Sequence, residues 1–165
     1  MTSPPTNERY PIAEAVEQIY QGEDPWYALG CFLHDWWCHG EEYRKELVIE
    51  PPKITPDLHG VRWAAFCAAI VEELCLRTNT PFPSWIHEQR YSLTEAWYMS
   101  SPMERSVRLR ETSPSPFKRR NIFVSASVLD NKYEFAKTYG KPDALPLWTE
   151  EEMQRLYAAK QTQSY

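Results

Sequence analysis

One long apolar stretch decides the fold: LHGVRWAAFCAAIVEELCLR, at residues 58–77. Apolar side chains recur through it at spacings of three and four, which is typical of a helix that lies against a core. Its alanines permit close approach of neighbouring elements, and Glu72 and Glu73 are expected to face outward. We therefore predict a core helix over these residues.

Shorter helices are predicted on both sides of this core helix. Asp24 and Pro25 have the residue types of a helix N-cap and first helical position, and an apolar surface follows up to Trp37. Further helices are predicted over residues 12–20, 103–109 and 149–160, a last turn or separate helix over 44–49, and short helical turns over 84–90 and 93–97. Residues 121–128 fit either a strand or a turn.

The composition favours helices joined by stiff connections. The chain has 14 prolines but only 5 glycines, a balance that does not suit glycine-rich hairpins. Its hydrophobic content of 42% and aromatic content of 14% exclude a disordered chain. We predict a mainly α, single-domain irregular helical bundle over residues 1–165, with Pro-rich connections and at most one short strand or hairpin. Residues 1–9 and 161–165 are predicted to be flexible tails.

The sequence predicts a cytoplasmic protein without a membrane partner. The first twenty residues lack the apolar segment of a signal peptide, and the longest apolar run, residues 63–71, is too short to cross a bilayer. All four cysteines lie in apolar helical patterns and are interpreted as reduced thiols: Cys31, Cys38, Cys67 and Cys75. The oligomeric state is left open.

Four side chains with zinc-ligand chemistry share one face of the predicted helix that begins at Pro25: Cys31, His34, Asp35 and Cys38. His39 and His59 could complete such a site, and the Cys–His pair also permits nucleophilic catalysis in principle. Structural zinc sites usually take ligands from a turn, however, and no family signature surrounds either cysteine. We favour core thiols with a His–Asp pair, and no metal is assigned.

A second candidate for catalysis lies at His87, Glu88 and Arg90, which have the chemistry of a base, an acid and an anion clamp for phosphodiester cleavage. The alternative, which we favour, is the exposed face of a short helix. The chain has no Gly-rich phosphate loop and no nucleophile-elbow or metalloprotease motif. No cofactor is expected.

Basic residues are concentrated between positions 105 and 120. The segment has a single acid, Glu111, and carries a net charge of +5, while the remainder of the chain carries −10. Such asymmetry is typical of a face that meets phosphate or an acidic partner, and Phe117 could stack on a base or fill a protein groove. The alternative is that the arginines pair with acids elsewhere in the chain, such as Glu41, Glu42, Glu46, Glu72 and Glu73.

Three motifs in this order resemble a known group: Trp63-Ala-Ala-Phe66, Pro83-Ser-Trp85 and Ser115-Pro-Phe-Lys-Arg-Arg-Asn-Ile-Phe123. The order is similar to that in a group of uncharacterised bacterial proteins, and to a block that follows helix-turn-helix regions in some toxin–antitoxin-type regulators. The resemblance covers residues 60–125. Residues 1–60 have no basic recognition helix, so it implies a protein-interaction or accessory role rather than operator binding.

The function expected from these observations is a non-enzymatic protein-interaction module, a component of a toxin–antitoxin-like or defence locus. It would bind an acidic partner through the basic and aromatic segment 105–123. The expected contact residues are Arg105, Arg108, Phe117, Lys118, Arg119, Arg120 and Phe123. One alternative is RNA or DNA binding through the same segment. A second is a metal-dependent or nuclease-type enzyme that uses Cys31, His34 and Cys38, or His87 and Glu88.

Overall fold

The computed structural model describes residues 9–38, 41–99, 103–125 and 128–129, with the backbone alone for Glu41 and residues 103–107. Contacts divide the chain into two compact units, Met1–Ala126 and Ser127–Tyr165, and the elements below all belong to the first. The predicted helix over 149–160 and the predicted tails, apart from residue 9, lie outside the described residues. The prediction of one domain over the whole chain stays a prediction.

The protein is mainly α, as predicted. The described residues form six helices: α1 (Ile12–Tyr20), α2 (Pro25–Cys38), α3 (Glu41–Leu47), α4 (Leu58–Thr78), α5 (Met103–Thr112) and α6 (Ser115–Lys118). A 3₁₀ turn spans Gln89–Tyr91, and two short strands, β1 (Trp97–Tyr98) and β2 (Ile122–Phe123), pair in parallel. No helix among the described residues is long and apolar enough to cross a membrane.

Helix α4 is the centre of the first unit, as its sequence predicts. Thirteen of its 21 residues are buried, and α1, α6 and the 3₁₀ turn all pack against it. Phe66 contacts Phe117 of α6 and Trp97 of β1 with ring centroids 5.3 and 6.0 Å apart. The helix ends at Asn79, whose φ of 53° lies in the left-handed region.

The first turn of α4 lies unusually close to the loop before it. A Cβ on Gly60 would lie 1.6 Å from Thr55 Oγ1 and 2.9 Å from the Thr55 carbonyl oxygen, so only glycine fits. The Tyr20 hydroxyl, at the end of α1, lies 2.9 Å from the Gly60 carbonyl oxygen and 2.6 Å from that of Lys53. This hydroxyl therefore joins α1, the loop and α4.

The short helical turn predicted over residues 93–97 is wrong. A parallel strand pair is found there instead. The backbone N–H groups of Leu93, Trp97 and Met99 donate to the carbonyls of Arg120, Asn121 and Phe123 over 2.8–3.0 Å. The partners of these bonds lie in another segment of the chain and not in the preceding turn, which is the pattern of paired strands and not of a helix. The sequence of residues 121–128 fits either a strand or a turn, and in the structure Ile122–Phe123 form a strand.

Candidate functional site

Glu72 lies inside the protein, so the outward orientation predicted for it is wrong. Its side chain is 1% exposed. Arg120 Nη2 lies 3.0 Å from Oε1, and Arg119 Nη2 donates to Oε2. The interpretation that the basic segment pairs with acids elsewhere is therefore confirmed for these two arginines.

Arg120 is a structural residue at the centre of this charge cluster. Its guanidinium donates to the carbonyl oxygens of Pro116 at 2.8 Å and Ile86 at 2.7 Å, in addition to the ion pair with Glu72. Burial, followed by the nearby charge of Arg119, lowers its pKa to about 10. Because Arg120 is only 4% exposed, it links α4, α6 and the turn at Ile86 and cannot serve as a surface contact for a partner.

His87 and Arg119 connect the cluster to solvent. His87 Nε2 lies 3.6 Å from Glu72 Oε1, and the His87 side chain is 58% exposed. The Arg119 side chain is 55% exposed. The Phe82 ring packs edge-on against His87 with centroids 5.3 Å apart and is itself exposed. We call His87, Arg119 and Phe82 the notch. Beneath it, the buried Glu72 carboxylate contacts the guanidinium groups of Arg119 and Arg120.

The two phenylalanines predicted to anchor a partner are buried. Phe117 is 0% exposed and packs on Phe66 of α4. Phe123 stacks on Tyr98 across the strand pair, with ring centroids 4.8 Å apart. Their role as exposed anchors is therefore wrong, because the motif turns these rings toward the core.

Three of the predicted contact residues, Arg108, Lys118 and Arg119, reach solvent wholly or in part, and Arg110 next to them in sequence is also exposed. Arg108 and Arg110 are exposed on either side of the buried Leu109 in α5. Lys118 is half-buried, and its Nζ donates to the Glu111 carbonyl oxygen at 2.7 Å, which ties α6 to α5. We call these four solvent-accessible residues the basic surface: Arg108, Arg110, Lys118 and Arg119. The side chain of Arg105 lies outside the described residues.

The face of α2 that carries Cys31, His34 and Cys38 shows a polar contact but no metal-binding group. His34 Nδ1 lies 3.5 Å from Asp35 Oδ1, and Asp35 Oδ2 accepts a hydrogen bond from the Tyr10 N–H at 2.6 Å. In residues 9–38, 41–99, 103–125 and 128–129, no three His, Cys, Asp or Glu side chains are grouped so as to hold a metal ion. Cys31, Cys67 and Cys75 are free thiols, as predicted, and Cys31 and Cys38 are half-buried.

The second predicted catalytic group does not converge on one point. Arg90 Nε donates to Glu88 Oε2 at 2.6 Å, and both side chains are about half exposed. His87 instead pairs with Glu72, which the sequence patterns did not connect to it. The three residues therefore divide between an exposed ion pair and the notch.

Comparison with protein-family models, curated proteins and solved structures gives no match. The functional proposal accordingly rests on the geometry of the Glu72 cluster and the basic surface.

Proposed function

We propose that this chain is a non-enzymatic protein-interaction module that binds an acidic protein partner through the basic surface. The observation that supports this most is the fixed position of Arg119 on Glu72. Arg120 is locked to Glu72 and to two carbonyls, so Arg119 next to it is held in place while it remains 55% exposed. A preorganised charge loses less conformational freedom on binding, and complementary charge speeds and orients association.

The basic surface favours a protein partner over nucleic acid. Single-stranded nucleic acids usually bind through a series of exposed aromatic rings that stack on successive bases. Both aromatic rings of segment 105–123, Phe117 and Phe123, are buried, and near Arg119 the exposed ring is Phe82. A setting in a toxin–antitoxin-type or defence locus is part of the proposal and rests on the motif order alone.

The proposal is tested by reversing charge at exposed side chains, which disturbs a fold less than reversal at a buried one. Arg108→Glu combined with Arg110→Glu changes two exposed side chains of α5, whereas reversal at Arg120 would place an acid beside Glu72. Arg90→Glu is the matched control, because Arg90 is exposed and lies outside the basic surface. The wild type, the double variant and the Arg90→Glu control are each used as bait in extracts of the native host, with and without nuclease. They are also titrated with a Glu-rich peptide and an RNA oligonucleotide of equal charge.

We expect a discrete captured protein that resists nuclease, is lost with the double variant and is retained by the control. Peptide affinity should fall about tenfold or more in the double variant, since each exposed charge pair contributes up to about 1 kcal/mol. Unchanged peptide binding in the double variant would contradict the proposal. Capture of RNA alone, with affinity falling log-linearly with salt, would replace it by nucleic-acid binding.

A further inference from the structure

The Glu72 cluster carries more positive charge than its internal contacts require. One buried carboxylate meets two guanidinium groups and a histidine. Arg120 also has two carbonyl partners and is buried, so its charge is committed to the fold. The uncompensated charge therefore lies at Arg119, where the cluster meets solvent.

The notch also has hydrogen-bond donors that the fold does not use. Arg119 directs Nη2 to Glu72, and its Nε lies 3.5 Å from the Ser115 carbonyl oxygen. His87 places Nε2 toward Glu72. Among the residues that the structure describes, Arg119 Nη1 and His87 Nδ1 have no hydrogen-bonding partner. Both belong to side chains that are more than half exposed.

Glu72 holds these two side chains at one place. Its two carboxylate oxygens contact Arg119 and His87 separately, Oε2 on the first and Oε1 on the second. Because the carboxylate is itself fixed by Arg120, both side chains are positioned before any ligand arrives. Arg119 Nη1 is a donor at all times, and His87 Nδ1 donates in the imidazolium form, in which both ring nitrogens carry a proton. Such preorganisation is what an anion-binding site needs in order to compete with water.

We propose that Arg119 and His87, held by Glu72, bind a phosphate monoester group carried on a side chain of the acidic partner. A phosphate has three strong acceptor oxygens and a charge near −2, so it can contact a guanidinium and an imidazole together. A carboxylate has two oxygens, which a single guanidinium can occupy in full. This inference rests on the proposed function, because the partner delivers the phosphate.

The test uses one Glu-rich peptide in two forms, with serine or phosphoserine at its centre, and inorganic phosphate as a third probe. Binding to the full chain is followed by fluorescence anisotropy, and the His87 imidazole is followed by NMR. We expect the phosphopeptide to bind about tenfold more tightly than the serine peptide and to shift the His87 signal. Equal affinities of the two peptides, or a His87 signal that does not move, would overturn the proposal.

Matched variants assign the effect to the notch. Arg119→Gln and His87→Gln should each remove most of the ratio between the two peptide affinities, while Arg90→Gln should leave it unchanged. Arg119→Lys retains a charge for Glu72 but loses the guanidinium fork, so it should keep the thermal midpoint and lose part of the ratio. An equal loss of ratio in Arg90→Gln would show a nonspecific charge effect and contradict the site.

Two outcomes separate this inference from the proposed function. If the ratio is one but the Glu-rich peptide still needs Arg108 and Arg110, the basic surface binds an acidic partner and the phosphate site is rejected. If the ratio depends on Arg119 while the Arg108→Glu/Arg110→Glu variant binds the serine peptide normally, the proposed function is the part that fails. Inorganic phosphate that shifts His87 with the affinity of the phosphopeptide would reject delivery by the partner.

Discussion

Glu72 joins separate parts of the molecule because its carboxylate is shared by Arg119, Arg120 and His87. A buried ion pair usually stabilises a protein little more than apolar side chains of the same volume would. Removing one partner is different, since it leaves a desolvated charge without compensation. The contribution of Glu72 should therefore appear mainly when it alone is replaced.

We expect Glu72→Gln to lower the free energy of unfolding by about 3 kcal/mol, because it leaves the buried guanidinium of Arg120 without a counter-charge. Glu73→Gln is the control on the same helix. Glu73 pairs with Arg77 at 3.1 Å, and both side chains keep partial access to solvent, so its loss should be smaller, about 1 kcal/mol. Urea denaturation measures both, and equal losses would contradict the central position of Glu72.

The Cys75 thiol should make stability fall in mild alkali. Burial raises its pKa from an ordinary value of about 9 to about 11. Because the folded value is the higher one, its contribution is complete below pH 9 and is lost as the pH rises to 11. We expect the difference in unfolding free energy between wild type and Cys75→Ala to shrink by about 2 kcal/mol over that range. A difference that is constant with pH would show that this thiol does not titrate differently on folding.

Sequence patterns could not predict which acid of α4 is buried. Apolar residues cover this helix on most sides, with thirteen of its 21 residues buried, so its period does not mark one outward face. Glu72 and Glu73 look equivalent in such a pattern. The choice depends on the two arginines that lie 47 and 48 residues further along the chain, and only the packing of α6 brings them there.

At the scale of elements, the close contact between α4 and the preceding loop depends on the lack of a side chain at Gly60. Gly60→Ala would introduce a methyl group where Thr55 already lies, with backbone as well as side-chain atoms inside contact distance. We expect a loss of about 1–3 kcal/mol from overpacking, despite the better helix propensity of alanine.

Gly30 in α2 offers a matched comparison, because a Cβ built there meets nothing within 4 Å. Gly30→Ala should be neutral or should stabilise by up to about 1 kcal/mol. Thermal unfolding of both variants tests the pair of expectations. A Gly60→Ala variant as stable as Gly30→Ala would mean that the loop can move away from α4 at little cost.

The elements that the sequence predicted well are those with local signals. Asp24 caps α2, and its Oδ1 accepts the Trp26 N–H at 2.8 Å, as the Asp-Pro pair predicts. The strand β1 has no such signal, because two residues are too few to show a period of two. Its hydrogen bonds go to residues 24 or more positions away, which a local pattern cannot represent.

At the scale of the whole molecule, stability should be highest in α4 and lower at the strand pair. Residues 64–71 are buried without exception, whereas β1 is half-buried and only two residues long. In native-state hydrogen exchange we expect amides of residues 64–71 to open only with global unfolding, and those of Trp97 and Met99 to open at a lower free energy. Equal values at both places would show that the strand pair belongs to the same cooperative unit.

The motifs that suggested a resemblance turn out to be largely internal. Trp85, Phe117 and Ile122 are buried, and the Trp85 indole N–H donates to the Val48 carbonyl oxygen at 2.9 Å. Arg120 is also buried. Within these motifs, Arg119 is the position where the charge cluster reaches solvent, so the motif order records packing more than recognition.

The shared acceptor at Glu72 also restricts how this chain can change over evolutionary time. A single substitution at Glu72 leaves the buried Arg120 without a counter-charge, and one at Arg120 leaves the buried Glu72 with the half-exposed Arg119 as its only arginine partner among the described residues. Selection for a folded protein disfavours both changes. Replacing both by apolar side chains of similar volume avoids that penalty. Descendants of this sequence should therefore keep the acid and the buried arginine together or exchange them together, while Arg119 drifts unless its ligand requires it.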